Sequence, residues 1–257
     1  MDKQNAKILM LVEGQKTDVK IMEHLLSVYG IRDHHQIVSY KTNIYVLYKK
    51  MFAADDPDSL DLLQVLKENE KDASKKHIFD ERYSDILLIF DLDPQDTEFS
   101  SEKIRRMLEY FNESTENGML YINYPMVESY YHMKSLPDPE YQIRTVSLDD
   151  LERKEYKTRV RDECLCNFRD FAQSKEECNI VIRQNLEKAL RITGKMADEN
   201  LFLPLSLDIL SVQDSKMKED RILYVLCTCV FYIVDFNPKL IVSDFGNQSD
   251  TDITKME

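Results

Sequence analysis

The stretch LLIFDLDPQD, residues 87–96, decides how the fold is interpreted. Its apolar half ends abruptly in three acids, Asp91, Asp93 and Asp96. A short apolar run bounded by polar residues is typical of a buried strand. In an extended chain Asp91 and Asp93 point the same way, while Leu92 turns towards the core. The pattern predicts either a metal site at a strand end or an ordinary acidic loop.

Apolar runs alternate with helical patterns through the first 135 residues, which predicts an α/β fold with a mostly parallel sheet and crossover helices. Thr17 is the expected N-cap of the first helix and Gly30 its expected end. A further helix is predicted directly after Pro125. Strands are predicted over residues 6–14, 36–42, 84–90 and 118–125.

The segment SLPDPE, residues 135–140, is the predicted boundary between two parts of the chain. An α/β domain is expected over residues 1–135, and a mainly helical region over residues 136–257. The longest apolar run, residues 222–234, has thirteen residues, whereas a bilayer span takes about 20. It is therefore predicted to be a buried helix or strand of the core, and no membrane partner is expected.

The composition limits the classes of function. The formal net charge of −13 makes the chain a poor general binder of nucleic acid, because phosphates repel it. Five cysteines without framework spacing are typical of free thiols in a reducing cytosol. Charged residues begin at Asp2 and Lys3, so no leader peptide is expected and a cytoplasmic location is predicted.

One segment has a positive net charge, unlike the chain as a whole. Residues 151–195 contain eleven Lys and Arg against eight Asp and Glu, a net charge of +3. Its densest part, RKEYKTRVR, is a candidate substrate-binding patch, and the alternative is a solvated helix face crossed by ion pairs. The basic residues of this patch are Arg153, Lys154, Lys157, Arg159 and Arg161.

Acidic residues follow three of the predicted strands. Glu13 ends the first, Asp91 and Asp93 end a later one, and Glu128 follows the strand that ends near Pro125. Carboxylates that meet at one sheet edge would repel each other, and Mg²⁺ or another hard divalent cation would relieve the repulsion. The alternatives are ordinary local roles: Glu13 as a helix cap, Asp93 as a turn former and Glu128 in the first turn of a helix.

Stretches at three places in the chain resemble motifs of known proteins. LMLVEGQKT followed later by DILLIFDLDPQD resembles the TOPRIM domain of topoisomerases, bacterial primases, small ribonucleases and overcoming-lysogenization-defect nucleases. VEGQKTD and INYPMVESYYHM are similar to segments of RloB-like and abortive-infection proteins. There are two departures: Tyr124 separates Asn123 from the proline, and Asp18 stands where those proteins have glutamate. The resemblance covers about the first 135 residues.

The resemblance implies a metal-dependent nuclease of bacterial anti-phage defence. Asp91 and Asp93 would hold Mg²⁺ or Mn²⁺, Glu13 would be a further ligand or the general acid/base, and Glu128 would be a candidate ligand. The substrate would be DNA or RNA, and an ATPase or another defence-system protein would be a partner. None of the 14 tyrosines stands out as a nucleophile, which favours hydrolysis over strand passage.

Other residues are weaker candidates for the site. Lys16 and Lys20 follow the Glu-Gly pair and can contact phosphate, although solvated lysines are the ordinary case. His132 lies four residues after Glu128, so on an α-helix it would share a face with it and assist a phosphate or a metal.

Two other functions stay open. The first is a non-catalytic scaffold or acidic interaction protein. The second is a haloacid-dehalogenase-like phosphatase, although Gln95 stands where that motif has threonine.

Overall fold

The computed structural model describes residues 7–53, 57–195 and 205–242. The central sheet has the strand order β2-β1-β3-β5-β4, where β1 is Lys7–Val12, β2 His35–Ser39, β3 Tyr83–Asp91, β4 Asn112–Glu113 and β5 Gly118–Asn123. The strands β1, β2, β3 and β5 are parallel, and only the two-residue β4 pairs antiparallel with β5. The predicted α/β fold with a mostly parallel sheet is confirmed.

The apolar runs form strands because the sheet is covered on both faces. Residues 9–12 of β1 are fully buried, and so are residues 88–90 of β3. A strand with both faces in the core gains from apolar residues at every position, which removes the alternation seen in half-exposed strands. Among the described residues, four α-helices lie between these strands: α1 Thr17–Val28, α2 Ile44–Met51, α3 Leu62–Asn69 and α4 Ser101–Tyr110.

Two local predictions in this part of the chain are wrong. The N-cap of α1 is Lys16, which makes no side-chain capping bond, so Thr17 does not cap the helix. The helix predicted after Pro125 is only a short 3-10 segment, Val127–Tyr131. All five of its residues are buried, so this segment lacks the solvent-exposed face of an amphipathic helix. Gly30 follows α1 with a φ of +69°, as expected of a glycine at a helix end.

The described residues after 135 are mainly helical, as predicted, and they include one strand pair that was not predicted. The pair is β6, Thr145–Ser147, antiparallel to β7, Ile222–Tyr224. No described helix has both the length and the apolar character that crossing a bilayer requires. The helices are α5 Leu148–Glu152, α6 Tyr156–Glu163, α7 Lys175–Ile192, α8 Ser206–Asp220, α9 Phe231–Phe236 and α10 Lys239–Val242.

Residues 225–234 of the apolar run 222–234 are buried, as predicted, and the run packs beside the end of β5. Leu226 forms an isolated antiparallel bridge with Tyr124. The hydroxyl of Thr228 donates to the Ile122 carbonyl at 2.7 Å, and the backbone N–H of Cys229 donates to Asn123 Oδ1 at 3.2 Å. This run therefore supports the strand end at which the acidic residues lie.

Candidate metal centre

The acidic residues lie where the strand order changes direction. The strand β1 has β2 on one side and β3 on the other, and in open parallel sheets the crevice beyond such strand ends is the usual ligand site. Glu13 directly follows β1, Asp91 is the last residue of β3, and Asp93 lies two residues beyond it. One carboxylate oxygen from each lies within 4.8 Å of the others. The predicted convergence of these three residues is confirmed, and the cluster could hold a metal ion.

Hydrogen bonds fix the orientation of the three carboxylates. The backbone N–H of Asp91 donates to Glu13 Oε2 at 3.2 Å. The side-chain amide of Asn123 donates to Asp91 Oδ1 at 3.4 Å, and that of Gln95 donates to Asp93 Oδ1 at 3.0 Å. Each carboxylate therefore keeps acceptor capacity for a further ligand.

The loop after β3 is held against the end of β5. Leu92 is fully buried, as predicted, and its N–H donates to the Asn123 carbonyl at 3.0 Å. Asp93 has a φ of +42°, a conformation in which aspartate is enriched among non-glycine residues. Its carbonyl accepts the N–H of Asp96 at 2.9 Å. Asp93 therefore forms a turn and also contributes to the acidic cluster, whereas Glu13 does not cap a helix.

Asp18, in the first turn of α1, is a member of the site that sequence reasoning missed. Its side chain is buried, and Oδ1 has no hydrogen-bond partner among the described residues. A Cβ placed on Gly14 would lie 2.3 Å from Asp18 Oδ2, so the glycine makes room for this carboxylate. The available signal was the position of Asp18 in VEGQKTD, where the similar proteins have an acid.

Glu128 lies beside the three carboxylates and forms an ion pair with a lysine. Its Oε1 forms an ion pair with Lys157 Nζ at 2.9 Å, whereas its buried Oε2 has no hydrogen-bond partner among the described residues. Five carboxylates line one cavity of about 370 Å³, which we call the acidic pocket: Glu13, Asp18, Asp91, Asp93 and Glu128. Lys16 and Lys157 also line it.

Burial makes the acidic pocket a poor place for unpaired negative charge. Burial and the nearby Asp93 carboxylate raise the pKa of Glu13 to about 8. Burial and the Glu13 carboxylate raise the pKa of Asp91 well above its ordinary value. Burial also raises the pKa values of Asp18 and Asp93. The pocket therefore favours either bound protons or a cation at neutral pH.

Only one residue of the predicted basic patch reaches the acidic pocket. Lys157 does so, because α6 lies against the segment Val127–Tyr131. The arginines of the patch are instead engaged with neighbouring acids, as in the alternative of an ion-paired helix face. Arg153 pairs with Asp150 and Glu155, Arg159 with Glu163 and Arg161 with Asp162, and Lys154 and Arg159 line a separate shallow depression.

His132 lies outside the acidic pocket. Its ring is fully buried between the Tyr156 hydroxyl at 3.2 Å and Glu163 Oε2 at 3.3 Å. Burial and the nearby Arg144 lower its pKa to about 4, so the ring is neutral at pH 7. His132 does not line the acidic pocket, and its role with a phosphate or a metal stays a prediction. Residues four apart share a face on an α-helix, whereas a 3-10 helix has three residues per turn.

No family model, curated protein or solved structure matches the chain. The resemblance to TOPRIM and RloB-like proteins therefore rests on the short motifs alone and stays a prediction.

Proposed function

We propose that the chain is a nuclease of the TOPRIM type that hydrolyses phosphodiester bonds of DNA or RNA with Mg²⁺ or Mn²⁺. The observation that carries the proposal is the convergence of Glu13, Asp91 and Asp93 at the edge where the strand order changes direction. The motif resemblance implies metal-ligand or acid/base roles for these three residues.

The residues of the acidic pocket fit a hard divalent cation. Mg²⁺ prefers oxygen ligands and needs only a few carboxylates, because it retains several waters. Asp91 and Asp93 would hold it, and Glu13 would be either a third ligand or the general acid/base. The unpartnered buried oxygens of Asp18 and Glu128 would stabilise its charge from the sides of the pocket.

A bound divalent cation would supply charge stabilisation at the phosphate and a lower pKa for an attacking water. The chain's own residues would position the substrate and move protons. Without a metal the pKa of Glu13 is about 8, which suits proton exchange near neutral pH if Asp91 and Asp93 alone hold the cation. Oε2 accepts the Asp91 N–H, so the second carboxyl oxygen would either bind the cation or carry the proton. Lys16 and Lys157 line the same cavity and can bind phosphate oxygens.

The test is cleavage of end-labelled DNA and RNA with Mg²⁺, with Mn²⁺ and with a chelator. We expect metal-dependent cleavage that falls roughly 10²- to 10³-fold in Asp91→Asn, a change that keeps the shape and removes the charge. Asp96→Asn is the matched control, because Asp96 lies in the same loop but does not line the acidic pocket. Cleavage that is independent of metal, or equal in wild type and Asp91→Asn, would overturn the proposal.

A non-catalytic scaffold is the second candidate function, and one observation favours it. Lys157 already supplies a positive charge to Glu128, so the acidic pocket is partly neutralised without a metal. A protein that neither cleaves nucleic acid nor gains thermal stability from Mg²⁺ or Mn²⁺ would support the scaffold.

The resemblance also motivates a role in anti-phage defence with an ATPase partner. Such a partner would help to bring a chain of net charge −13 to nucleic acid. Gel filtration of the chain with and without the products of neighbouring genes tests this. A larger complex is expected, and the same elution volume in both runs would contradict it.

A further inference from the structure

A second cavity adjoins the acidic pocket. Its volume is about 510 Å³, and Lys16 and Thr17 line both cavities. One wall is the N-terminal half of α1, and the other is made of Tyr130, Tyr131 and residues 168–173 before α7. We call this cavity the aromatic groove. A ligand that lies along it would reach the acidic pocket at Lys16.

Flat aromatic rings form one wall of the groove. Phe168 stacks on Tyr131 with ring centroids 4.1 Å apart and an interplanar angle of 4°. Phe171 packs against Tyr131 in an edge-on arrangement at 5.5 Å and is buried. Phe168 is only half-buried, so part of its ring is available to a ligand. A rigid, supported and accessible ring of this kind is a platform on which a base can stack.

Basic side chains surround this platform. Lys16 is exposed at the N-cap of α1, Lys20 is exposed on α1, and Arg169 is exposed next to Phe168. None of the three forms an ion pair with a described carboxylate, whereas the arginines of the segment 153–161 are all paired. Their positive charge is therefore available to an anionic ligand, in a molecule whose net charge is −13.

We propose that the aromatic groove binds a single-stranded segment of nucleic acid and leads it to the acidic pocket. An unpaired base would stack on Phe168, and Lys16, Lys20 and Arg169 would bind the adjacent phosphates. Bases in a duplex are already stacked on each other and offer no free face to the ring, so single strands are preferred. This inference rests on the proposed nuclease function and specifies its substrate.

The test is fluorescence anisotropy with a short labelled single strand and with the matching duplex, in chelator and in Mg²⁺. We expect tighter binding of the single strand. Because base–aromatic stacking contributes about 1–3 kcal/mol per base, Phe168→Ala should weaken single-strand binding roughly 5- to 150-fold. Phe168→Tyr keeps the platform and should bind like wild type. Lys20→Ala should weaken binding and reduce its salt dependence.

Matched controls remove similar groups elsewhere. Phe236→Ala removes another partly exposed aromatic ring, and Lys75→Ala removes another exposed lysine without an ion-pair partner among the described residues. Both should bind like wild type. If Phe168→Ala does not fold, Lys20→Ala and Arg169→Ala, at exposed positions, still test the groove. Thermal melting of each variant shows whether it folds.

The outcomes separate this inference from the proposed function. Single-strand binding that is lost in Phe168→Ala, without any cleavage, supports the groove and counts against the nuclease. Metal-dependent cleavage with unchanged binding in Phe168→Ala, Lys20→Ala and Arg169→Ala overturns the groove alone. Tighter binding of the duplex, or no binding of either ligand by wild type, also overturns it.

Discussion

Gly14 and Asp18 illustrate how closely the acidic side chains pack. A Cβ on residue 14 would lie 2.3 Å from Asp18 Oδ2, so Gly14→Ala should displace this carboxylate. We expect Mn²⁺ to raise the melting temperature of Gly14→Ala less than that of wild type, because a negative charge leaves the pocket. The measurement is thermal unfolding with and without Mn²⁺.

Asp18→Ala is the companion variant for this prediction. It removes the same carboxylate without a steric clash, and we expect it to reduce the Mn²⁺ effect by a similar amount. The double variant should resemble Asp18→Ala, because the clash no longer exists. A Gly14→Ala protein with the full wild-type response to Mn²⁺ would show that Asp18 does not contribute to the site.

The raised pKa of Glu13 predicts how the free energy of unfolding depends on pH in the absence of metal. Its ordinary pKa is 4.5, and in the folded protein its pKa is raised to about 8. Between these values the folded state retains a proton that the unfolded state has lost. The protonated Glu13 carboxyl therefore stabilises the folded state fully below about pH 4.5, and this stabilisation is lost as the pH rises through about 8.

Urea unfolding in chelator measures this effect. We expect the free energy of unfolding of wild type to fall between pH 5 and pH 8, and to fall less steeply in Glu13→Gln. Added Mn²⁺ should stabilise wild type more as the pH rises, because its carboxylate ligands must lose their protons to bind. Identical pH profiles for wild type and Glu13→Gln would contradict the raised pKa.

Three residues of the site could be predicted from sequence because strand ends determine their positions. Glu13 and Asp91 end neighbouring parallel strands, and Asp93 follows within the same loop. Asp18 could not be placed in the same way. Its carboxylate reaches the pocket through the packing of α1 and the absence of a side chain at Gly14, neither of which a single sequence reveals.

At the scale of elements, Lys157 shows what α6 brings to the strand ends. Its Nζ lies 2.9 Å from Glu128 Oε1, although 28 residues separate the two in the sequence. Lys157→Ala removes a positive charge from the acidic pocket, so metal binding should become several-fold tighter. Cleavage should fall about 10-fold or more, because a group that can bind the phosphate is lost.

Lys154→Ala is the matched control for Lys157→Ala, since Lys154 lies three residues away and does not line the acidic pocket. Mn²⁺ titration and single-turnover cleavage measure the two effects separately. If the Mn²⁺ affinity and the cleavage rate both fall in Lys157→Ala, the lysine supports the structure of the pocket. If neither changes, Lys157 has no part in the site.

Elements with a strong pattern were predictable, and those defined by tertiary contacts were not. The apolar runs of β1 and β3 indicate their positions directly, because both faces of these strands are buried. The strands β6 and β7 have three residues each and pair across a long stretch of chain, so neither leaves a periodic pattern. The segment Val127–Tyr131 carries apolar residues that suggest an α-helix, whereas the structure has a buried 3-10 helix of five residues there.

At the scale of the whole molecule, the sheet depends on residues that lie late in the sequence. Leu226, Cys227 and Thr228 pack on the end of β5 and are buried. A chain that ends at residue 135 would expose this surface and remove the hydrogen bond that Cys229 donates to Asn123. We expect such a fragment to aggregate or to lack cooperative thermal unfolding, and a cooperative transition would contradict this dependence.

The central claim is that Glu13, Asp91 and Asp93 together bind a divalent cation, and isothermal titration of Mn²⁺ tests it most directly. Wild type and Asp96→Asn should bind Mn²⁺ with the same affinity. Asp91→Asn should lose at least about 10-fold in affinity, since it removes a charged ligand. Equal binding by all three proteins, or no binding by wild type, would contradict the claim.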